Sequence, residues 1–319
     1  MMKKQTQNDN ALFVGVSSCL LGDGVRYDGG HKAHGFVTGV LGRLCAVEAV
    51  CPEVAAGLGV PRPAVHLVER GNVIHALGRD DDSLDVTPAL TAFSDAKVPA
   101  LGYLSGYVFK SRSPSCGLDV TVLPQGRAPG LYAAAVTEAY PLLPCIEDDQ
   151  LGDPLLQSNF LERMVAYRRW REFLASAPVY EDLRAFHQDN TLMLMSHGRQ
   201  GRDDLEHLVG RSSGGVGDMA PLLAAYGRGY MAHVARPSGV REHVEVLREA
   251  VSRLPEGTGG AKIAEINGLI AGFEQGVCGL WAPLGALRAL LVGTDSGSAL
   301  ARQTYLHPHA VEARFKVIL

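Results

Sequence analysis

The 319-residue chain has no run of about 18 consecutive apolar residues, the minimum for a membrane helix. Met1 to Asn10 is polar and lacks the apolar centre of a signal peptide. Residues 1–11 therefore read as a disordered tail, and the protein as cytoplasmic. Basic charge is not in excess: 30 Lys and Arg stand against 34 Asp and Glu, a formal charge of −4. Bulk electrostatics thus do not mark a nucleic-acid binder, and local distribution must carry that question. No Walker A sequence is present, which removes the commonest phosphate-loop reading. There is no CxxC pair, no internal repeat and no long low-complexity linker. Gly214-Gly215-Val216-Gly217 does not follow a strand-like run, so it is a poor dinucleotide fingerprint. Asp80-Asp81-Asp82 with Asp85 lacks the spacing of a calcium loop and reads as a solvated turn. His307-Pro308-His309 is a loop pair without a third metal ligand in view.

What remains is the composition of an ordinary globular protein, 46% hydrophobic and 20% charged, long enough for two domains with their own cores. Residues 12–152 alternate short strand-like and helical stretches and predict an α/β domain with a largely parallel sheet. Strands are expected at Leu12 to Val16, Ala46 to Val50, Tyr103 to Phe109 and Pro141 to Ile146. Helices are expected from Val86 to Lys97, with Thr87 as cap before Pro88, and from Leu131 to Ala139. From about Asp153 the texture changes. Phe160, Met164, Tyr167 and Leu174 recur at helical spacing, and helix-length segments follow: roughly Val179–His197, Arg202–Val209, Asp218–Ala235, Val240–Leu254, Ala261–Gln275 and Pro283–Leu291. Residues 153–319 are accordingly expected to be an all-α domain, with a strand only at Phe315 to Leu319. The boundary is placed between Gly152 and Gln157.

Six cysteines in such a chain are better read as buried thiols, ligands or catalysts than as a disulfide framework. Cys45, Cys145 and Cys278 have structural surroundings. Cys19, Cys51 and Cys116 share a different context: each lies in a loop after a strand-like run. Cys116 belongs to Lys110-Ser111-Arg112-Ser113-Pro114-Ser115-Cys116-Gly117, and Cys51 opens Cys51-Pro52-Glu53. In an open α/β sheet, ligands bind outside the carboxyl ends of the strands. Singly, each thiol is more often a small buried hydrophobe. Together they suggest a metal or iron–sulfur site, and three protein ligands on a four-iron cluster leave one iron open as a Lewis acid. Glu53 would be a general base beside it. Ser113 and Ser115 would either cap the loop or orient a substrate. Lys32, Arg62, Lys110 and Arg112 are candidate phosphate partners, with a solvated surface as the plain alternative. In the helical half, Arg163, Arg168, Arg169 and Arg171, and then Arg199, Arg202 and Arg211, form two clusters that suit either a solvated face or a phosphate-contacting one.

These motifs resemble a known family. Ser17-Ser18-Cys19-Leu20-Leu21-Gly22, Arg26-Tyr27-Asp28-Gly29, Cys51-Pro52-Glu53-Val54, Pro61-Arg62 and Ser113-Pro114-Ser115-Cys116-Gly117 look like the thiouracil desulfidase family, also known as DUF523. Asn159-Phe160-Leu161-Glu162-Arg163, Tyr167-Arg168-Arg169-Trp170 and Leu192-Met193-Leu194-Met195-Ser196-His197 resemble the DUF1722 domain that often follows it. The fused arrangement is similar to bacterial desulfidases acting on 4-thiouridine in tRNA. The resemblance implies a [4Fe-4S] cluster on Cys19, Cys51 and Cys116, with Glu53 and Ser113 as catalytic residues and Ser115 as the competing serine. It also implies substrate contacts from Ser115, Lys110, Arg112 and Arg26, and RNA contacts from Arg168, Arg169, Arg199 and Arg202. The expected reaction removes sulfur from a thiolated uracil without net redox change, giving uridine and hydrosulfide. The competing readings are a free thiouracil desulfidase with a structural helical domain, a non-catalytic RNA-binding metal protein, and a sulfur transferase. The last is disfavoured because no adenylation motif is present.

Overall fold

A computed structural model describes residues 11–211, 219–291 and 299–318. The expected N-terminal tail, up to Asn10, and Gly214 to Gly217 lie outside the described residues. The chain divides into two compact units, one ending at Phe160 and the other beginning at Leu161.

The first unit is α/β. Its main sheet contains β1 (Phe13–Ser17), β2 (Ala46–Val50), β5 (Gly106–Phe109) and β8 (Cys145–Glu147), in the order β2-β1-β5-β8, all parallel. β1 and β2 are rich in valine, and β5 is buried along its whole length, as expected of strands covered on both faces. The register sets Ser17 beside Val50, and Val16 beside Val108. A second, mixed sheet has the order β4-β3-β6-β7, from β3 (Val65–Arg70), β4 (Val73–Gly78), β6 (Val120–Leu123) and β7 (Arg127–Ala128). It goes beyond the parallel sheet expected from the sequence. Its hairpin turns on Gly71 and Asn72, both at positive φ (58° and 63°), the backbone that a two-residue type I′ turn demands.

The helices of this unit are α1 (Gly42–Leu44), α2 (Pro52–Ala55), α3 (Thr87–Lys97) and α4 (Leu131–Ala139). Thr87 is not the cap of α3. It is the first helical residue, and its hydroxyl accepts the Ala76 amide of β4 at 2.8 Å, while Asp85 accepts the Thr87 amide. The acidic turn is held by local bonds: Asp81 accepts from Ser83, Asp82 pairs with Arg70, and Asp85 meets His75.

α5 (Pro154–Ala175) runs through the division between the units. The second unit continues with α6 (Tyr180–Asp189), α7 (Thr191–Ser196), α8 (Arg199–Arg211), α9 (Met219–Val234), α10 (Val240–Ser252), α11 (Gly260–Glu274), α12 (Trp281–Leu291) and α13 (Ala310–Ile318). The single helix expected over Val179–His197 breaks at Asn190. Its side-chain amide donates to the Phe186 carbonyl and its oxygen accepts from Thr304, so the residue bonds locally instead of continuing the helix. The strand expected at Phe315 is instead part of α13. Val311 and Phe315, four apart, are both buried, which is helical and not strand spacing. Two apolar clusters organise the unit. Trp170 packs among Phe173, Phe186, Tyr226 and Tyr230, at ring-centroid distances of 5.5, 5.6, 5.5 and 6.2 Å. Leu192, Val246, Leu247, Ile270 and Leu287 anchor the other.

Candidate active site

All four parallel strands end at one cavity of about 510 Å³. β1 delivers Ser17, Ser18 and Cys19, with Cys19 on the short helical turn Ser18–Leu21. β2 delivers Cys51, Pro52 and Glu53; Cys51 stands at the cap position of α2 and Pro52 in its first turn. β5 delivers Lys110 and Ser111, and β8 delivers Asp148 and Asp149. Neighbours in this sheet are not sequence neighbours: β2 lies on one side of β1 and β5 on the other. The cavity thus opens at the carboxyl ends where the chain changes direction across the sheet, the usual ligand position in such folds. The Lys110 amide donates to the Ser17 hydroxyl at 3.0 Å and ties β5 to β1 at that point.

Cys19, Cys51 and Cys116 all line this cavity, and none of them is in a disulfide. Burial pushes the Cys19 thiol up to about 11, and it raises Cys51 and Cys116 as well. Negative charge on Cys51 raises Cys19 further, and charge on Cys51 and Cys19 raises Cys116, as expected for thiols sharing one neighbourhood. Three anionic sulfurs there need a positive counterpart. Among the described residues no three His, Cys, Asp or Glu side chains are grouped for a single metal ion. Soft sulfur donors placed around a cavity fit a polynuclear iron–sulfur group, with one thiolate to an iron.

Glu53 is held on both oxygens. Oε2 accepts from Arg62, with Nε at 2.8 Å and Nη2 at 2.7 Å; Oε1 accepts the Ser115 hydroxyl at 2.9 Å. The Arg62 side chain is only 4% exposed and also donates to the Gly59 and Val25 carbonyls. The carboxylate is therefore fixed in orientation, with one lone pair of Oε1 left over.

The two serines have different tasks. Ser113 Oγ accepts the Ser115 amide at 3.3 Å and the Cys116 amide at 3.1 Å. Both hydroxyl lone pairs are then spent on the loop, and its O–H is left to donate. Ser113 lines the cavity. Ser115 is fully buried and gives its O–H to Glu53. The loop itself is gripped by α4. The Leu131 amide donates to the Pro114 carbonyl, and those of Tyr132 and Ala133 donate to the Ser115 carbonyl. First-turn amides that lack partners inside their own helix thus fasten the segment carrying Cys116.

Of the other residues singled out by sequence, Lys110, Arg26 and Arg112 also line the cavity. Lys110 Nζ contacts both oxygens of Asp148, at 3.1 and 3.0 Å. Burial alone would raise Asp148, but the Ser111 amide and the Lys110 ammonium hold it below its ordinary value. Arg26 meets Asp28 at 3.5 Å. In the helical unit, Arg168 pairs with Glu172, Arg169 lies 4.0 Å from Glu312, Arg199 approaches Glu245 and Glu249, and Arg202 pairs with Asp203. His307 Nε2 bonds the Ala301 carbonyl at 2.7 Å, and His309 Nδ1 accepts the Val311 amide. Sequence reasoning did not reach the Arg62 clamp on Glu53 or the Asp148 partner of Lys110. Asp148 sits where β8 ends, as Cys51 does after β2, and that position was its only signal.

No protein of curated function matches the chain. A solved structure described as a [4Fe-4S]-dependent thiouracil desulfidase, TudS (DUF523Vcz), is 28% identical over 44% of this chain and 93% of its own, with a TM-score of 0.37. Residues 14–148 match the family model for 2-thiouracil desulfurase, and residues 192–310 match DUF1722, a family of unknown function. The chain is therefore similar to the 2-thiouracil desulfurase family over residues 14–148 and to DUF1722 over residues 192–310.

Proposed function

We propose that the protein is an iron–sulfur-dependent, non-redox desulfidase that converts a thiolated uracil, 4-thiouridine in tRNA, to uridine and hydrosulfide. The observation that carries this reading is the meeting of three thiols from three separate segments beside a carboxylate clamped on both oxygens. Cys19, Cys51 and Cys116 would hold a [4Fe-4S] cluster, which supplies a Lewis-acidic iron for the sulfur of the substrate.

The protein's own groups do the rest. Glu53 takes a proton from water through the free lone pair of Oε1, and that water adds to the thiocarbonyl carbon. Arg62 and Ser115 keep the carboxylate aimed during the transfer. Ser113 donates its remaining O–H to the pyrimidine. Lys110, paired with Asp148, places positive charge beside Cys19, where hydrosulfide departs; its charge lowers the Cys19 thiol against burial. Overall, a C=S bond and one water become a C=O bond and hydrogen sulfide. Sulfur stays at the −2 level, so no electron donor is consumed.

In the helical unit, Arg168, Arg169, Arg199 and Arg202 serve as RNA contacts by exchanging their carboxylate partners for phosphates. The test is anaerobic. Protein reconstituted with iron and sulfide should release hydrosulfide from bulk tRNA containing 4-thiouridine, and charge reversal at Arg168 and Arg169 should reduce that release while sparing free 2-thiouracil. Turnover of free 2-thiouracil with none on tRNA would contradict the tRNA assignment and leave nucleobase desulfuration.

A further inference from the structure

The site cavity is lined by more positive than negative side chains. Arg26, Lys32, Arg62, Arg79, Lys110 and Arg112 face Glu53, Asp148 and Asp149, in a chain of net charge −4. Three of the cations are already committed: Arg26 to Asp28, Arg62 to Glu53 and Lys110 to Asp148. Among the described residues of the first unit, the cations outside any ion pair are Lys32, Arg43, Arg79 and Arg112. All but Arg43 line this one cavity.

A second cavity of about 810 Å³ adjoins it, with Val65, Arg79, Arg112, Pro114 and Asp149 common to both. The two form one trough, and the two guanidiniums stand at its junction. Beyond the junction, the second cavity is lined by Leu67, Val120, Thr121 and Leu123 of β3 and β6, with Leu123 42% exposed. Its acidic residues are largely occupied. Asp119 pairs with Arg127; Glu147 accepts the Leu118 amide, and burial raises its pKa. Against Asp149, the guanidiniums leave one net positive charge at the junction, the match for a phosphodiester. Both have fixed backbones. The Arg79 amide is bonded to the Ala64 carbonyl, and Arg112 is held at φ +58°, a conformation that favours glycine.

Resting on the desulfidase reading above, we propose that Arg79 and Arg112 clasp the phosphate joining the thiolated nucleotide to its neighbour, and that the neighbour lies in the second cavity. Planar guanidinium forks suit a phosphate's oxygens better than point charges do. The exposed Leu123 beside them offers an apolar contact for a base. The domain would thus read a strand and not only a base.

The test uses the full chain and measures equilibrium binding, independent of turnover. The probes are a labelled trinucleotide with central 4-thiouridine, 4-thiouridine 5′-monophosphate and the nucleoside. The Arg79→Ala/Arg112→Ala double variant should bind the trinucleotide about tenfold more weakly, roughly the effect of one charge-assisted contact. Nucleoside affinity should fall much less. The slope of log Kd against log salt should become shallower by about 0.7, the value for one single-strand phosphate contact. Arg79→Ala alone, which leaves the Arg112 backbone untouched, should show part of the same loss. Unchanged trinucleotide binding, or equal losses for trinucleotide and nucleoside, would overturn the clasp. Equal wild-type affinity for monophosphate and trinucleotide would overturn the second-cavity placement. Failure of the desulfidase reading would show separately, as no hydrosulfide released from any thiolated probe by the reconstituted wild type.

Discussion

Glu53 has two partners that a glutamine can keep. An amide side chain in its place presents its oxygen to Arg62 and its NH2 to a lone pair of Ser115, so the isosteric change removes the base and keeps a hydrogen bond to each neighbour. Glu53→Gln is expected to lower turnover by about 10²–10⁴-fold, the range for loss of a positioned general base. The absorbance of the reconstituted iron–sulfur group should be retained. Turnover within a few fold of wild type would remove Glu53 from the chemistry. Much of this site could be read from residues. Cys19, Cys51 and Glu53 stand directly after β-rich runs, and Cys116 lies in a polar, glycine-ended loop. The partners could not be read. Ser115 and Glu53 are 62 positions apart, and Arg62 approaches Glu53 only because the intervening segment doubles back. The sequence also leaves Ser113 and Ser115 alike, whereas hydrogen bonding separates them, one facing the cavity and the other behind the carboxylate.

At the scale of elements, the docking of α4 on the thiol-bearing loop controls where Cys116 stands. Gly130 precedes α4 and lies against that loop: a Cβ there would come within 2.6 Å of the Ser115 carbonyl carbon and 2.7 Å of the Pro114 carbonyl oxygen. These are backbone atoms and cannot rotate away. Gly130→Ala should therefore destabilise the protein by about 1–3 kcal/mol, the usual cost of overpacking, and should lower the iron bound on reconstitution. Chemical unfolding with iron quantitation checks both; wild-type values for each would show that the loop is not set by this contact. α4 itself was legible from Leu131 to Ala139, because its apolar residues follow helical spacing. The hairpin of β3 and β4 was missed although Gly71-Asn72 between two β-rich runs is a turn signal. The break at Asn190 depends on a partner distant in sequence, Thr304.

For the whole molecule, the change from alternating elements to helix-length periodicity marked an α/β part followed by a helical part. The division falls after Phe160, within α5, since a helix of 22 residues carries no composition break of its own. The central claim is that the α/β unit replaces sulfur by an oxygen taken from water, with Glu53 removing the proton. It is tested most directly by turning over 4-thiouridine-containing tRNA anaerobically in H2¹⁸O and weighing the uridine released by digestion. The account predicts one ¹⁸O in each uridine formed, matched by one hydrosulfide, after correction for exchange into unmodified uridine. Uridine formed without ¹⁸O, or hydrosulfide that needs an added reductant, would contradict it.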